Sequence, residues 1–317
     1  DDPTGAWGTS LADPRTGLLD RLVQLGVQWQ RTLAGGDTVS LQTAWSRYDF
    51  DGNYAYPDGS ADQTFAQGRW WAGEARYTTR RLAGQQIVAG LEWQRNLRQD
   101  KGYALTDPVY ELVARTQLDN HRVGVYVNDE ISFGRDWRFT LGARADRQVS
   151  GDWTVTPRLA AVWQAAPRLY LKALAGSAYR EPNSSEAYYE DPVSLPNPDL
   201  QRERVTTREL ALDWRVRDDW RLAASAYDNH VGSLIELVDL GTGFFQFRNV
   251  GTLRVHGLEL ESDAVLPRGW RARASVALQK VRDGNGARVS NAPVWLGKLH
   301  ASAPLGDTPA RLGLEWQ

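Results

Sequence analysis

Glu181, Glu186, Glu190 and Asp191 crowd into one short stretch, and paired carboxylates can serve as acid and base in glycoside hydrolysis. That work needs one carboxyl raised by desolvation. These four lie in a long polar segment with no apolar sequence to exclude water, and solvation of a loop accounts for them. Asp49, Asp51 and Asn53 alternate oxygen ligands in the manner of a calcium loop. The match to that pattern is poor, because Gly52 stands at the fourth loop position and Ser60 occupies the place of the bidentate Glu. The four histidines, His121, His230, His256 and His300, are scattered singly, and no nucleophile elbow, P-loop, H-E-x-x-H or G-x-G-x-x-G occurs. With no cysteine, thiolate zinc sites and cysteine nucleophiles are excluded. Neither an enzyme nor a resident cofactor is expected.

Three aromatic pairs fall between the patterned segments: Tyr54 and Tyr56, Tyr188 and Tyr189, Phe244 and Phe245. Aromatics at exposed loop tips are costly unless they bind something, so each pair is a candidate ligand contact. Packing of one loop on another is the competing explanation.

The elements that must carry these residues show strict alternation. Val23, Leu25, Val27 and Trp29 interleave with Gln24, Gly26, Gln28 and Gln30, and Trp270, Ala272, Ala274 and Val276 interleave with Arg271, Arg273 and Ser275. About fourteen such runs recur from end to end, each reading as a strand with one polar face, and helical spacing is nowhere sustained. Tight turns such as Ala34 to Asp37, Phe133 to Asp136 and Pro267 to Gly269 alternate with links expected to be long, from Asp49 to Gln67, Leu97 to Asp119 and Glu181 to Arg204.

In a meander every second link lies at the same end. The rhythm therefore puts tight turns at one rim and large loops at the other, the layout of an antiparallel up-and-down transmembrane β-barrel. The polar stripe then faces a watery lumen and the apolar stripe faces lipid. Trp137, Trp163, Trp220 and Trp270 sit beside tight turns, while Trp45, Trp71 and Trp93 sit toward the long links. Two such rows suit aromatic girdles at the two membrane interfaces, with core tryptophans at strand ends as the alternative.

Composition agrees once strands are considered. The 317 residues have a mean hydropathy of −0.51, and the longest apolar runs are far too short for a membrane-spanning helix. A lipid-facing strand needs an apolar residue only at every second position. The 37 basic and 39 acidic residues leave a net charge of −2, so nucleic acid is not an expected partner. Zero methionines and a start at Asp-Asp-Pro are expected of a processed chain or a piece of a longer one.

The stretch Tyr179-Arg180-Glu181-Pro182, with Glu186, then Asn197-Pro198-Asp199-Leu200 and the Glu209-Leu210 strand, resembles the barrel of TonB-dependent outer-membrane receptors. Asn249-Val250-Gly251 followed by Gly257-Leu258-Glu259-Leu260-Glu261 is similar to the next pieces of that pattern. The resemblance implies a bacterial outer-membrane location and residues 1–317 as part of a barrel of 22 strands, with the plug domain and terminal strands outside this sequence. Two unpaired edges are then expected near Val23 and Leu314.

The function implied is active uptake. Extracellular loops would capture a scarce small-molecule or metal-chelate ligand, such as siderophore-iron or cobalamin, and a TonB energy-coupling protein acting through the plug would drive import. Outer-membrane lipid is a further expected partner. A passive porin-like channel and a soluble all-β carbohydrate-binding protein stay open as alternatives. Arg180 is expected to hold the loop base through a carboxylate.

Overall fold

In the computed structural model, residues 8–148, 151–306 and 308–317 are described. The alternating runs fold into one antiparallel sheet in sequence order, β1 to β8 and then β10 to β15. The first eight strands are β1 (Gly17–Thr32), β2 (Thr38–Ala55), β3 (Ala61–Thr79), β4 (Gln85–Asp107), β5 (Glu111–Phe133), β6 (Trp137–Gln148), β7 (Thr154–Ala166) and β8 (Leu169–Arg180). A short helix α1 (Ser184–Tyr188) and the two-residue strand β9 (Ser194–Leu195) fill the next link. The path resumes with β10 (Glu203–Arg217), β11 (Trp220–Asp239), β12 (Phe245–Leu266), β13 (Trp270–Asp283), β14 (Trp295–Pro304) and β15 (Arg311–Trp316). Setting β9 aside, the path has the expected fourteen strands.

The sheet is inside out relative to a soluble domain. Among the described residues the buried hydrophobic side chains are Ala55, Ala61, Ala104, Ala187 and Ile235, whereas Leu25, Leu41, Leu91, Leu141, Leu159 and Leu210 are all exposed. The buried set also includes Asp62, Asp100, Asp146 and Thr154. A soluble sandwich buries its apolar stripe between sheets; here that stripe is presented outward, which is stable only against hydrocarbon.

Tight turns close one rim: residues 33–37, 80–84, 134–136, 167–168 and 218–219, and the 3-10 turn Pro267–Gly269. Gly36, Gly84 and Gly134 take positive φ there, as such turns require. At the other rim the structure corrects the expected loop lengths. β2 and β3 continue to a turn at residues 56–60, and β4 and β5, each 23 residues long, leave only 108–110 between them. A strand needs roughly 9–11 residues to cross a bilayer. More than half of β4 and of β5 therefore stands beyond the membrane. The polar sequence there reads as loop because both faces of the sheet are wet once it leaves the bilayer.

Residues 181–202 and 284–294 are long links. Among the described residues β1 pairs only with β2 and β15 only with β14, so Val23 and Leu314 lie on the two free edges of the sheet. Trp137 pairs with Trp163 and stacks on it at 5.2 Å, and Trp220 and Trp270 open their strands at the same rim. Trp45 pairs with Trp71, well up β2 and β3 from that rim, and Trp93 pairs with Gly73.

Candidate functional site

The link from β8 to β10 forms a strap across the mouth, and Arg180 is its first anchor. The Arg180 guanidinium donates from Nη1 and Nη2 to the two carboxylate oxygens of Glu186 at 2.8 and 2.9 Å, and from Nε to Glu203 at 2.6 Å. Glu186 also closes a capping box. Its backbone N–H donates to Asn183 Oδ1 and its carboxylate accepts from the Asn183 N–H, both at 2.9 Å. Pro182, just before that cap, lines the cavity below. The free oxygen of Glu203 accepts the Ile235 N–H at 2.8 Å, so one arginine joins β8, α1, β10 and β11.

The acidic cluster is consumed in similar ways. Glu181 accepts from Arg202 Nε at 2.6 Å, and Asp191 accepts the Val193 N–H at 2.9 Å.

Two walls hold the strap. On the β4–β5 side, Lys101 Nζ lies 3.0 Å from Ser185 Oγ and 4.0 Å from the Tyr189 ring centroid, and Thr116 Oγ1 donates to the Tyr188 carbonyl at 3.1 Å. On the β12 side, β9 pairs in parallel with Phe245 and Gln246, and Phe245 N donates to the Val193 carbonyl at 2.8 Å. Asn197 Nδ2 donates to the Phe247 carbonyl at 2.8 Å, directly before Pro198 turns the chain.

Asn249 spends its whole amide on the same junction. Nδ2 donates to the carbonyls of Gln201 (2.9 Å) and Ser233 (2.7 Å), and Oδ1 accepts from Gln201 N (2.8 Å). Ser233 has φ of 55° at a register shift in β11, opposite which Gly251 pairs with Leu234. Further down β12, Gly257 pairs with Tyr227, whose ring occupies the space a Cβ would need. Glu259 and Glu261 line a cavity of about 490 Å³ with Lys172, Asp213, Arg221 and Lys298.

Under the strap lies a cavity of about 1110 Å³. Amides from the facing strands, Gln94, Asn96, Gln99, Asn120 and Gln148, line it together with Arg122, Arg202 and Tyr188. This surface offers many donors and acceptors, suited to a ligand rich in oxygen.

Tyr188 is thus the aromatic candidate on the cavity. Tyr54, Tyr56 and Tyr189 gather instead around Asp62, which is 7% exposed. The hydroxyls of Tyr56 and Tyr103 both donate to Asp62 Oδ2, at 2.9 and 3.0 Å. Burial, and then the Asp62 carboxylate, push Tyr56 up to about 12, so it stays a donor. Burial, and then Asp191, raise Tyr189 in the same direction. Phe244 and Phe245 stand apart at the β11–β12 tip, 39% and 36% exposed.

Two placements differ from expectation. Tyr54 lies within β2 and not in a loop. Asp49, Asp51 and Asn53 also lie within β2: Asp49 takes Arg47 at 2.7 Å, and Asp51 accepts from Asn53 at 2.6 Å and from Gln63 at 3.0 Å, so no calcium loop forms. Asp62, Lys101, Tyr103 and the cavity amides carried no signal, because only strand pairing brings them to the mouth.

A meander of fourteen strands with an outward apolar face and a strapped polar mouth is the architecture of an outer-membrane receptor barrel. The chain matches the family described as TonB dependent receptor-like, beta-barrel, over residues 1–316, and belongs to it. Among solved structures it is similar to the copper transporter OprC, with a TM-score of 0.77 and 17% identity over 92% of this chain and 52% of that one. The ferric yersiniabactin uptake receptor FyuA from Yersinia pestis gives 0.76 and 15% identity, covering 94% of this chain and 49% of that one. A relative in sequence is an iron-regulated outer membrane virulence protein of Vibrio cholerae serotype O1, 26% identical over 125 residues, which are 38% of this chain and 19% of that protein. The chain thus spans about half the length of these receptors and a smaller share of the Vibrio protein.

Proposed function

We propose that this barrel serves a bacterial outer-membrane receptor that takes up an iron or other metal chelate, with import driven by a TonB-type coupling protein. The observation that carries the reading is the polar cavity of about 1110 Å³ beneath a strap tied to both walls. A receptor needs a preformed surface that holds ligand before transport. The similar structures named for copper and ferric yersiniabactin transport support a metal or metal-chelate cargo. The outward apolar face and the two levels of tryptophan support girdles at both interfaces of the outer membrane. Tyr188 and the cavity amides bind the ligand, and Phe244 and Phe245 meet it at the rim.

The test is uptake of radiolabelled iron from a panel of ferric chelates by cells with the receptor gene intact or deleted, each with and without the coupling protein. Uptake of at least one chelate should require both. Uptake that persists undiminished without the coupling protein would identify a passive channel.

A further inference from the structure

Buried carboxylates in this sheet come with a cation, with one exception. Among the described residues the buried aspartates are Asp37, Asp62, Asp100 and Asp146. Asp37 pairs with Arg81, Asp100 with Arg98 and Arg115, and Asp146 with Arg144. Asp62 has no ion pair among the described residues, and Lys101 in the same corner is spent on Ser185 and the Tyr189 ring. A buried charge is held by an opposite charge or by a metal.

What meets Asp62 is phenol oxygen. The hydroxyls of Tyr56 and Tyr103 stand 2.9 and 3.0 Å from one carboxylate oxygen, Oδ2, and no described group donates to Oδ1. Tyr54 is the direct cross-strand partner of Asp62. Its hydroxyl lies over Gly52, 2.6 Å from where a Cβ would stand, and makes no hydrogen bond among the described residues. Tyr189, the C-cap of α1, joins the group, while its neighbour Tyr188 lines the cavity. The end of β2, the turn after it, β3, β4 and the strap thus each bring an oxygen to one place. Among the described residues no three His, Cys, Asp or Glu side chains gather to hold a metal, so phenols are the ligands left to complete a site at Asp62.

We propose that Asp62, Tyr56 and Tyr103 form a binding site for a hard trivalent cation, ferric iron, with Tyr54 as a further phenol ligand. Carboxylate and phenolate oxygens are hard donors, and adjacent oxygens of an octahedral site with bonds of about 2.0–2.1 Å lie about 2.9 Å apart. A phenol, whose ordinary pKa is about 10, gives up its proton at neutral pH only to a strongly polarising cation, which selects ferric iron over calcium or magnesium. On binding, the O–H bonds of Tyr56 and Tyr103 break and two protons pass to solvent. Two iron–phenolate bonds and one iron–carboxylate bond form, the same number of chelator oxygens leave the metal, and iron stays ferric throughout. The metal supplies the positive charge that Asp62 lacks. The site rests on its own geometry; the uptake reading supplies only a source of iron.

The experiment uses the receptor that carries this barrel, purified in detergent, incubated with ferric nitrilotriacetate and desalted. Retained iron is counted by elemental mass spectrometry, and phenolate ligation is read as a visible charge-transfer band. The parent should retain iron and show the band. Tyr56→Phe with Tyr103→Phe should abolish the band and cut retention several-fold, each single change should weaken both, and Asp62→Asn should lower retention several-fold. Tyr110→Phe, an exposed tyrosine outside the cluster, should change nothing, and heat-modifiable gel mobility shows that each variant is folded.

No retained iron, iron without the band, or a band indifferent to the double change overturns the proposal. So does full displacement by millimolar calcium, which would mark a site for divalent ions. Uptake by cells is a separate readout: absence of coupled uptake for every chelate would remove the transport reading and leave the band and its loss in the variants to decide the metal site.

Discussion

Arg180 and Glu186 face each other through two parallel hydrogen bonds of 2.8 and 2.9 Å, and the same carboxylate caps the helix that begins the strap. Arg180 also holds Glu203, so a side chain at the end of β8 ties together the two ends of residues 181–202.

Arg180→Lys keeps the charge and loses the fork, and one ammonium cannot serve Glu186 and Glu203 together. The strap should then be cleaved several-fold faster by limited proteolysis within residues 189–200, with the barrel's gel mobility unchanged. Cleavage at the parental rate would show that the β12-side anchors suffice.

Asn249→Ala removes three hydrogen bonds and strands the carbonyls of Gln201 and Ser233. The Ser233 carbonyl is part-buried whereas the Gln201 groups are exposed to water, so a cost of about 1 kcal/mol is expected. Urea unfolding in micelles would measure it. Asn249→Asp should recover little, because a carboxylate accepts from Gln201 N but cannot donate to either carbonyl.

Gly257→Ala puts a methyl group where the Tyr227 ring lies. The ring must leave or the ladder must shift, at about 1–3 kcal/mol. Pairing the change with Tyr227→Ala should cancel most of the loss, a non-additivity that a double-mutant cycle reads directly.

Asp37, in the β1–β2 turn, is buried at the rim. It accepts from Thr79 Oγ1 at 2.7 Å and Tyr77 Oη at 2.8 Å and pairs with Arg81 at 2.6 Å. The Thr79 and Tyr77 hydrogen bonds, ahead of Arg81, hold its carboxyl below the usual range. A depressed value means the folded state prefers the charged form. The stability it contributes is complete above an unfolded value of about 3.9 and fades as pH falls through the folded value. Asp37→Asn should lower the melting temperature at pH 7, and the gap to the parent should shrink as pH drops below about 4.

How much of this was legible in the sequence follows the surroundings of each residue. Where lipid meets one face and water the other, as at Trp137 to Leu141, alternation reports the strand directly. Beyond the membrane both faces are wet, so Asp49 to Asn53, Lys101 to Asp107 and Glu111 to Gln117 looked like loop although they are strand. The family motif pointed at Arg180, Asn197 and Asn249 without showing that they bind one another's segments. Arg47, Arg69 and Arg98 are direct neighbours across β2, β3 and β4 although 22 and 29 residues separate them in the chain, and no local pattern relates them. Only strand register sets them abreast.

The long strands bear on how the surface meets the world outside the cell. Over β2 to β5 the part beyond the membrane is hydrogen-bonded ladder that ends in links of five and three residues. A protease needs a length of chain it can pull into extended form, and paired backbone denies it that. On this side the receptor offers an attacking enzyme two narrow crests. The accessible chain is concentrated in the strap and in residues 284–294, so surface shaving of intact cells should release peptides from those two segments and leave β2 to β5 whole.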